Sequence, residues 1–141
     1  MKIFCLSIYN ENFELFKNLN LIPVGLGKEN FDNKWLNDKG KINISEKNEN
    51  FGEYTFHYHL WKNNLIDPSY NSWIGFCTYR RMWANLEHDK IINFKNLSRN
   101  ILIEPHKDWH NFDAVLVRPL IFNKISNLKL IKKNLFEVIK K

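Results

Sequence analysis

Lys2-Ile3-Phe4-Cys5-Leu6-Ser7-Ile8-Tyr9 is a near-continuous apolar run rich in strand formers, stopped by Asn10-Glu11-Asn12. A strand with one wet face alternates apolar and polar residues, so an almost unbroken run is the pattern of a strand buried on both faces. Ser72-Trp73-Ile74-Gly75-Phe76-Cys77-Thr78-Tyr79 repeats that pattern and runs straight into Arg80-Arg81, and Phe112 to Val117 gives a further such strand ending at Arg118-Pro119. Leu21 to Leu26 is a shorter apolar run. The polar stretch from Gly27 to Lys41, with Gly, Asp and Asn throughout, reads as an irregular loop.

Between these runs the period changes. Phe51, Tyr54, Tyr58, Trp61 and Leu65 recur three and four residues apart, which predicts one helix from Asn50 to about Leu65 with these side chains on its apolar face. Asn50 stands where a cap belongs and Glu53 where a capping box has its acidic residue, and Asp67-Pro68 ends the element. From Asn123 to Lys141, Leu128, Ile131, Leu135 and Ile139 mark a basic amphipathic helix. Strands separated by helices predict an α/β fold, a mainly parallel sheet with flanking helices.

A chain of 141 residues is the size of one domain and can bury a core without disulfides or a structural metal. No apolar run approaches the ~20 residues that span a bilayer, and the N-terminal run lacks a small-residue cleavage site, so a cytoplasmic protein is expected. Cys5 and Cys77 each lie inside an apolar run and read as small buried hydrophobes rather than a disulfide or metal pair. The net charge of +6 suggests nucleic acid, but residues 1–117 hold 14 basic and 14 acidic side chains. The excess lies in the last 24 residues, with seven basic side chains against Glu137. One segment is basic and the rest is balanced, so no nucleic-acid partner is expected.

Asn43-Ile-Ser-Glu-Lys-Asn-Glu-Asn-Phe-Gly-Glu-Tyr-Thr55, followed by Leu60-Trp-Lys-Asn63 and then Trp73-Ile-Gly-Phe-Cys-Thr-Tyr-Arg-Arg-Met-Trp83, is similar in order and separation to the paired signatures of a bacterial capsular-polysaccharide glycosyltransferase domain long catalogued as a domain of unknown function. The resemblance runs from Lys2 to Leu120. It implies a sheet like that of A-type glycosyltransferases, with a nucleoside diphosphate sugar bound at the carboxyl ends of the strands and its sugar passed to a surface or capsular polysaccharide, or to a lipid-linked glycan acceptor. Domains of this kind continue well beyond the strand that Phe112 to Val117 resembles, so residues 1–141 are expected to be a single domain incomplete at its C-terminus. A catalytically inactive nucleotide-sugar-binding or accessory protein is the alternative.

Sugar transfer leaves negative charge on the departing diphosphate, and something positive must meet it. A-type enzymes mostly use a divalent cation, Mn or Mg, held by an Asp-x-Asp element; none occurs here, so no metal ligands are assigned. The nearest approach, Glu87-His88-Asp89, reads as a solvated loop, and His57 and His59, two apart on a helix, cannot face one ion together. Arg80 and Arg81, with Tyr79 before them, are the expected phosphate-binding residues, because a guanidinium fork matches phosphate oxygens at any working pH. Adjacent residues of a strand point to opposite faces, so one arginine is expected on the phosphate, Arg80 by preference, and the other on a carboxylate such as Glu53. Ser45, Lys47 and Asn48 precede the helix and are expected to present backbone N–H groups and a positive charge to an anion, with capping as the plainer role. Glu53, one turn from His57, is the candidate catalytic acid–base residue. The basic C-terminal helix either closes the sheet or rests on the inner face of the membrane.

Overall fold

In the computed structural model, which describes residues 1–85, 89 and 91–117, Lys2–Ser7 forms the first strand, β1. It pairs in parallel on both edges. On one side lies β2 (Ile22–Gly25), with Phe4 opposite Ile22 and Ser7 opposite Gly25; on the other lies β4 (Ile74–Thr78), with Lys2 opposite Ile74 and Leu6 opposite Thr78. The two-residue strand β3 (Leu36–Asn37) extends β2, giving an all-parallel sheet in the order β3-β2-β1-β4. The fold is α/β, as the apolar runs predict.

Successive side chains of β1 enter two different cores. Ile3 and Cys5 pack with Phe16 of α1 (Phe13–Asn18) and with Leu19, Leu21, Trp35 and Cys77. Phe4 and Leu6 pack with Val24, Leu26 and the α3 (Tyr54–Lys62) residues Phe56 and Leu60. Phe16 and Phe56 are wholly buried; each such ring stabilises the fold by roughly 1.5–3 kcal/mol relative to exposure. Helices on both faces are why β1 tolerates so few polar residues.

The stretch from Gly27 to Lys41 is not wholly irregular, because β3 lies inside it. The buried Trp35 ring sits 4.8 Å from Phe31, 5.5 Å from Phe13 and 6.0 Å from Phe16. That anchor draws the next two residues alongside β2, a tertiary effect that local composition does not carry.

The helix predicted from Asn50 to Leu65 is two helices, α2 (Asn48–Phe51) and α3. Gly52 separates them in a positive-φ conformation (φ +53°, ψ −133°) that favours glycine. Its carbonyl accepts hydrogen bonds from Asn48 Nδ2 at 2.8 Å and Thr55 Oγ1 at 3.0 Å. The buried face also differs from the expected one. Thr55, Phe56, His59 and Leu60 point inward, while Phe51, Tyr54, Trp61 and Leu65 are 49–68% exposed. Both stripes obey helical spacing; the inward one packs against the sheet and against the loop before the helix. His59 fills the space a side chain at Gly40 would need, and Asn63 donates to the carbonyl of Ile42 at 2.7 Å.

The predicted strand at Phe112–Val117 does not form: these residues make no ladder, and Phe112, Leu116 and Val117 are exposed. A strand needs a pairing partner as well as an apolar sequence, and among the described residues these have none. The chain divides into two compact units, Met1–Lys107 and Asp108–Lys141. In the second, Phe112 N–H bonds the carbonyl of Trp109 at 3.0 Å to close a turn. The helix predicted at 123–141 lies outside the described residues. Among the described residues, no helix is long and apolar enough to cross a membrane.

Cys5 and Cys77 are buried register partners and both are free thiols, as the apolar runs suggest. The hydrogen-bonding interaction of the Cys5 thiol with Cys77, and burial after it, push that thiol far above the ordinary range.

Gly40→Ala should destabilise the protein by about 1–3 kcal/mol, the usual cost of overpacking, because the new methyl collides with the buried His59 ring. Urea unfolding measures this, and an unchanged midpoint would mean that α3 is not seated on this loop.

Candidate functional site

The chain leaves β1 toward β2 on one side and later returns to β4 on the other, so the direction of strand addition reverses between β1 and β4. In open parallel sheets the carboxyl ends of the two strands at such a point part and leave a crevice. Here the last bonds before the split are Leu26 N–H to the Ser7 carbonyl at 2.9 Å on the β2 side and Tyr79 N–H to the Leu6 carbonyl at 3.1 Å on the β4 side. Beyond them opens a cleft of about 500 Å³. Its floor is Leu6, Ser7 and Ile8; one wall is Asn48, Gly52 and Glu53, and the other is Thr78 to Arg81.

The floor is held by Ser7, whose buried hydroxyl donates to the carbonyl of Tyr9 at 3.0 Å and accepts from Tyr9 N–H at 2.9 Å and Asn12 Nδ2 at 3.0 Å. The bonds turn the chain sharply away from the sheet and keep the strand end open. A lone hydroxyl closing an apolar strand, with Asn five residues on, was the one sequence signal for this residue. Ile8, Gly52 and Thr78 carry none.

The arginine wall differs from the expected geometry. β4 stops at Thr78, and Thr78 and Arg81 exchange two backbone hydrogen bonds of 3.0 Å, so Tyr79 and Arg80 form the corners of a tight turn. Strand alternation therefore does not apply, and both guanidiniums belong to the same wall. Among the described residues neither is in an ion pair, with Glu53 or any other carboxylate. Arg80 lies 5.1 Å from the centre of the Tyr79 ring, which meets Tyr9 edge-on at 5.1 Å. Burial and the Tyr9 hydroxyl raise the Tyr79 phenol above its ordinary value, with the Arg80 charge opposing; it remains a neutral hydrogen-bonding group. Two cations at a concave strand end, without an ion-pair partner among the described residues, make a local positive potential that an anion would neutralise.

Of the other expected residues, Asn48 and Glu53 line this cleft and Ser45 lines a neighbouring hollow, whereas Lys47 is exposed and lines neither. The backbone donors of Ser45 and Lys47 are already used. Ser45 N–H bonds Asn43 Oδ1 at 3.2 Å and Lys47 N–H bonds the carbonyl of Ile44 at 2.9 Å. Asn48 Nδ2 is shared between the Gly52 carbonyl and Thr55 Oγ1. Asn48 of this short helical segment forms part of the wall. Glu53 is exposed, and His57 Nδ1 lies 2.9 Å from its backbone oxygen rather than from its carboxylate, so the expected carboxylate–imidazole pair is not made.

Among the described residues, the donor set does not fit a divalent cation held by protein ligands alone. Among the described residues, Glu53 is the carboxylate that lines the cleft, and there is no group of three metal-ligating side chains. Asp89 is taken up by Arg99 Nε and Nη2 at 2.8 Å each and by Asn100 Nδ2 at 2.7 Å. Glu87 and His88 lie outside the described residues.

A family model described as a domain of unknown function, DUF4422, matches residues 5–137. No curated protein and no solved structure matches the chain.

If the arginine turn is the anion-binding wall, Arg80→Ala and Arg81→Ala should each weaken binding of inorganic pyrophosphate about tenfold, the loss expected of one hydrogen bond to a charged group. Both side chains are exposed, so the melting temperature should hardly move. Titration calorimetry at low salt checks this; unchanged affinity in both variants would place the anion elsewhere.

Proposed function

The chain belongs to the DUF4422 family, a domain of unknown function, and within it we propose that this molecule is a glycosyltransferase that takes a sugar from a nucleoside diphosphate sugar and passes it to a surface or capsular polysaccharide acceptor. One observation carries the reading. The cleft lies at the switch point of a parallel sheet, where such folds take nucleotides, and its wall holds two arginines without carboxylate partners among the described residues. A neutral or cationic ligand would leave those charges unmet.

In this reading the diphosphate lies against the Tyr79–Arg81 turn and the nucleoside occupies the floor beside Ser7 and Ile8. An acceptor hydroxyl oxygen attacks the anomeric carbon, and the bond from that carbon to the phosphate oxygen breaks. The diphosphate departs with the electron pair, and its growing charge is met by Arg80 and Arg81. The acceptor proton passes to the Glu53 carboxylate on the facing wall, which makes Glu53 the general base.

Binding without turnover is the second reading. It is favoured by the exposed Glu53 carboxylate, which has no hydrogen-bond partner among the described residues to aim it.

A thermal-shift screen against UDP-, GDP- and dTDP-sugars separates these. One nucleotide class should raise the melting temperature, since a ligand at about a hundred times its Kd stabilises the folded state by roughly 2.7 kcal/mol. No rise with any donor, from a protein that melts cooperatively, contradicts the proposal. With a donor found, Glu53→Gln should keep the shift and lose about 10²–10⁴ in turnover. Turnover unaffected by that change removes Glu53 from the role, and no turnover in the unaltered protein with any acceptor supports binding alone.

A further inference from the structure

The stripe of α3 that faces away from the sheet carries large rings left in water. Tyr54, Tyr58 and Trp61 stand four and three residues apart and so share one face. Tyr54 is 68% and Trp61 67% exposed, and Leu65, just past the helix end, is 54% exposed. At about 150–250 Å² for each aromatic ring, the stripe leaves roughly 400 Å² of mostly apolar surface in water. A patch of that size marks an interaction site, and it would form the apolar centre of an interface of about 800 Å² a side. The rings are also held in place. Tyr58 meets Trp61 edge-on at 6.1 Å, and Lys62 Nζ lies 4.1 Å from the centre of the Trp61 ring, so docking has little side-chain freedom left to remove. Beside Trp61 opens a hollow of about 280 Å³, lined by His57, Leu60, Trp61, Asn64, Ile66 and Phe76, with the His57 ring 4.3 Å from that of Phe76. One patch therefore holds both a projecting ring and a hollow with room for such a ring.

We propose that this face binds a second copy of the chain, in a two-fold dimer in which each Trp61 enters the hollow of the other copy. A two-fold contact requires a self-complementary patch, and a knob beside its own hole is one. With the axis crossing near the middle of α3, the two helices run antiparallel and the flank bearing the hollow meets the same flank of the other copy. His57 and Trp61 lie one turn apart along that flank, so the axis exchanges their levels and brings each ring to the facing hollow. A different partner would use the ring or the hollow, whereas self-pairing fills both. The hollow and the cleft share no lining residue, so both clefts stay open in the dimer. The dimer is independent of the sugar-transfer reading.

Sedimentation velocity of the intact chain, from about 1 to 100 μM, spans the micromolar dissociation constants at which such a dimer would form. The sedimentation coefficient should rise with concentration and level off at that of a dimer. Trp61→Ser should weaken the dimer about thirtyfold, the loss typical of a central aromatic anchor. The side chain is exposed, so the melting temperature should not change when both proteins are compared at a concentration where each is a monomer. Tyr54→Lys, at the other end of the stripe, should weaken the dimer as well by bringing a charge into its apolar centre, and it decides the matter if Trp61→Ser does not fold. A chain that stays monomeric at every concentration would overturn the proposal. So would a dimer that survives both substitutions, which would put the contact on another face. Species that keep growing with concentration would also overturn it, because a two-fold contact closes at two copies and an open one does not.

Discussion

Everything in the described domain hangs on β1 being hydrogen-bonded along both edges. A strand so placed must be apolar on both faces, because helices cover each side of the sheet, and it must extend to a point where its neighbours diverge. Phe4 and Leu6 serve one core, Ile3 and Cys5 the other. The parallel bonds to β2 and β4 fix where the sheet ends, at Ser7 and Thr78. The cleft is a consequence of that ending: no residue has to be strained to make it, since the reversal of strand order at β1 leaves the gap.

The wall opposite the arginines depends on how α3 is seated. Gly40 admits the His59 ring, Asn63 ties the helix to Ile42, and Gly52 breaks the helical path so that Asn48 and Glu53 come to the edge of the cleft. An unbroken helix would carry Glu53 on a different course. The arginine wall is set by a different device, the two-residue turn after Thr78, which places neighbouring side chains on one surface where a continued strand would have divided them.

The buried strands were legible because burial on both faces leaves an unmistakable apolar run, and β1, β2 and β4 follow those runs to within two residues at each end. What was not legible depended on contacts distant in sequence. α1 has too short a period to declare itself, β3 exists because Trp35 is anchored in a core, and periodicity could not choose between the Tyr54–Trp61 stripe and the Phe56–Leu60 stripe on one helix. Phe112–Val117 has strand composition without a strand. At the site, Arg80 and Arg81 stood out as charges closing an apolar strand, while Ser7 matters through bonds to Tyr9 and Asn12 that only the folded turn creates. The backbone donors of Ser45 and Lys47 were legible as a helix entry, but their neighbours had already claimed them.

A crystal structure of the chain with a nucleoside diphosphate sugar tests the central claim most directly, because it locates the anion without relying on activity. The account predicts the diphosphate in the crevice between the ends of β1 and β4, with its oxygens within hydrogen-bonding distance of the Arg80 and Arg81 guanidiniums and the nucleoside beside Ser7. A diphosphate bound away from that turn, or a crevice left empty at saturating donor, would contradict it.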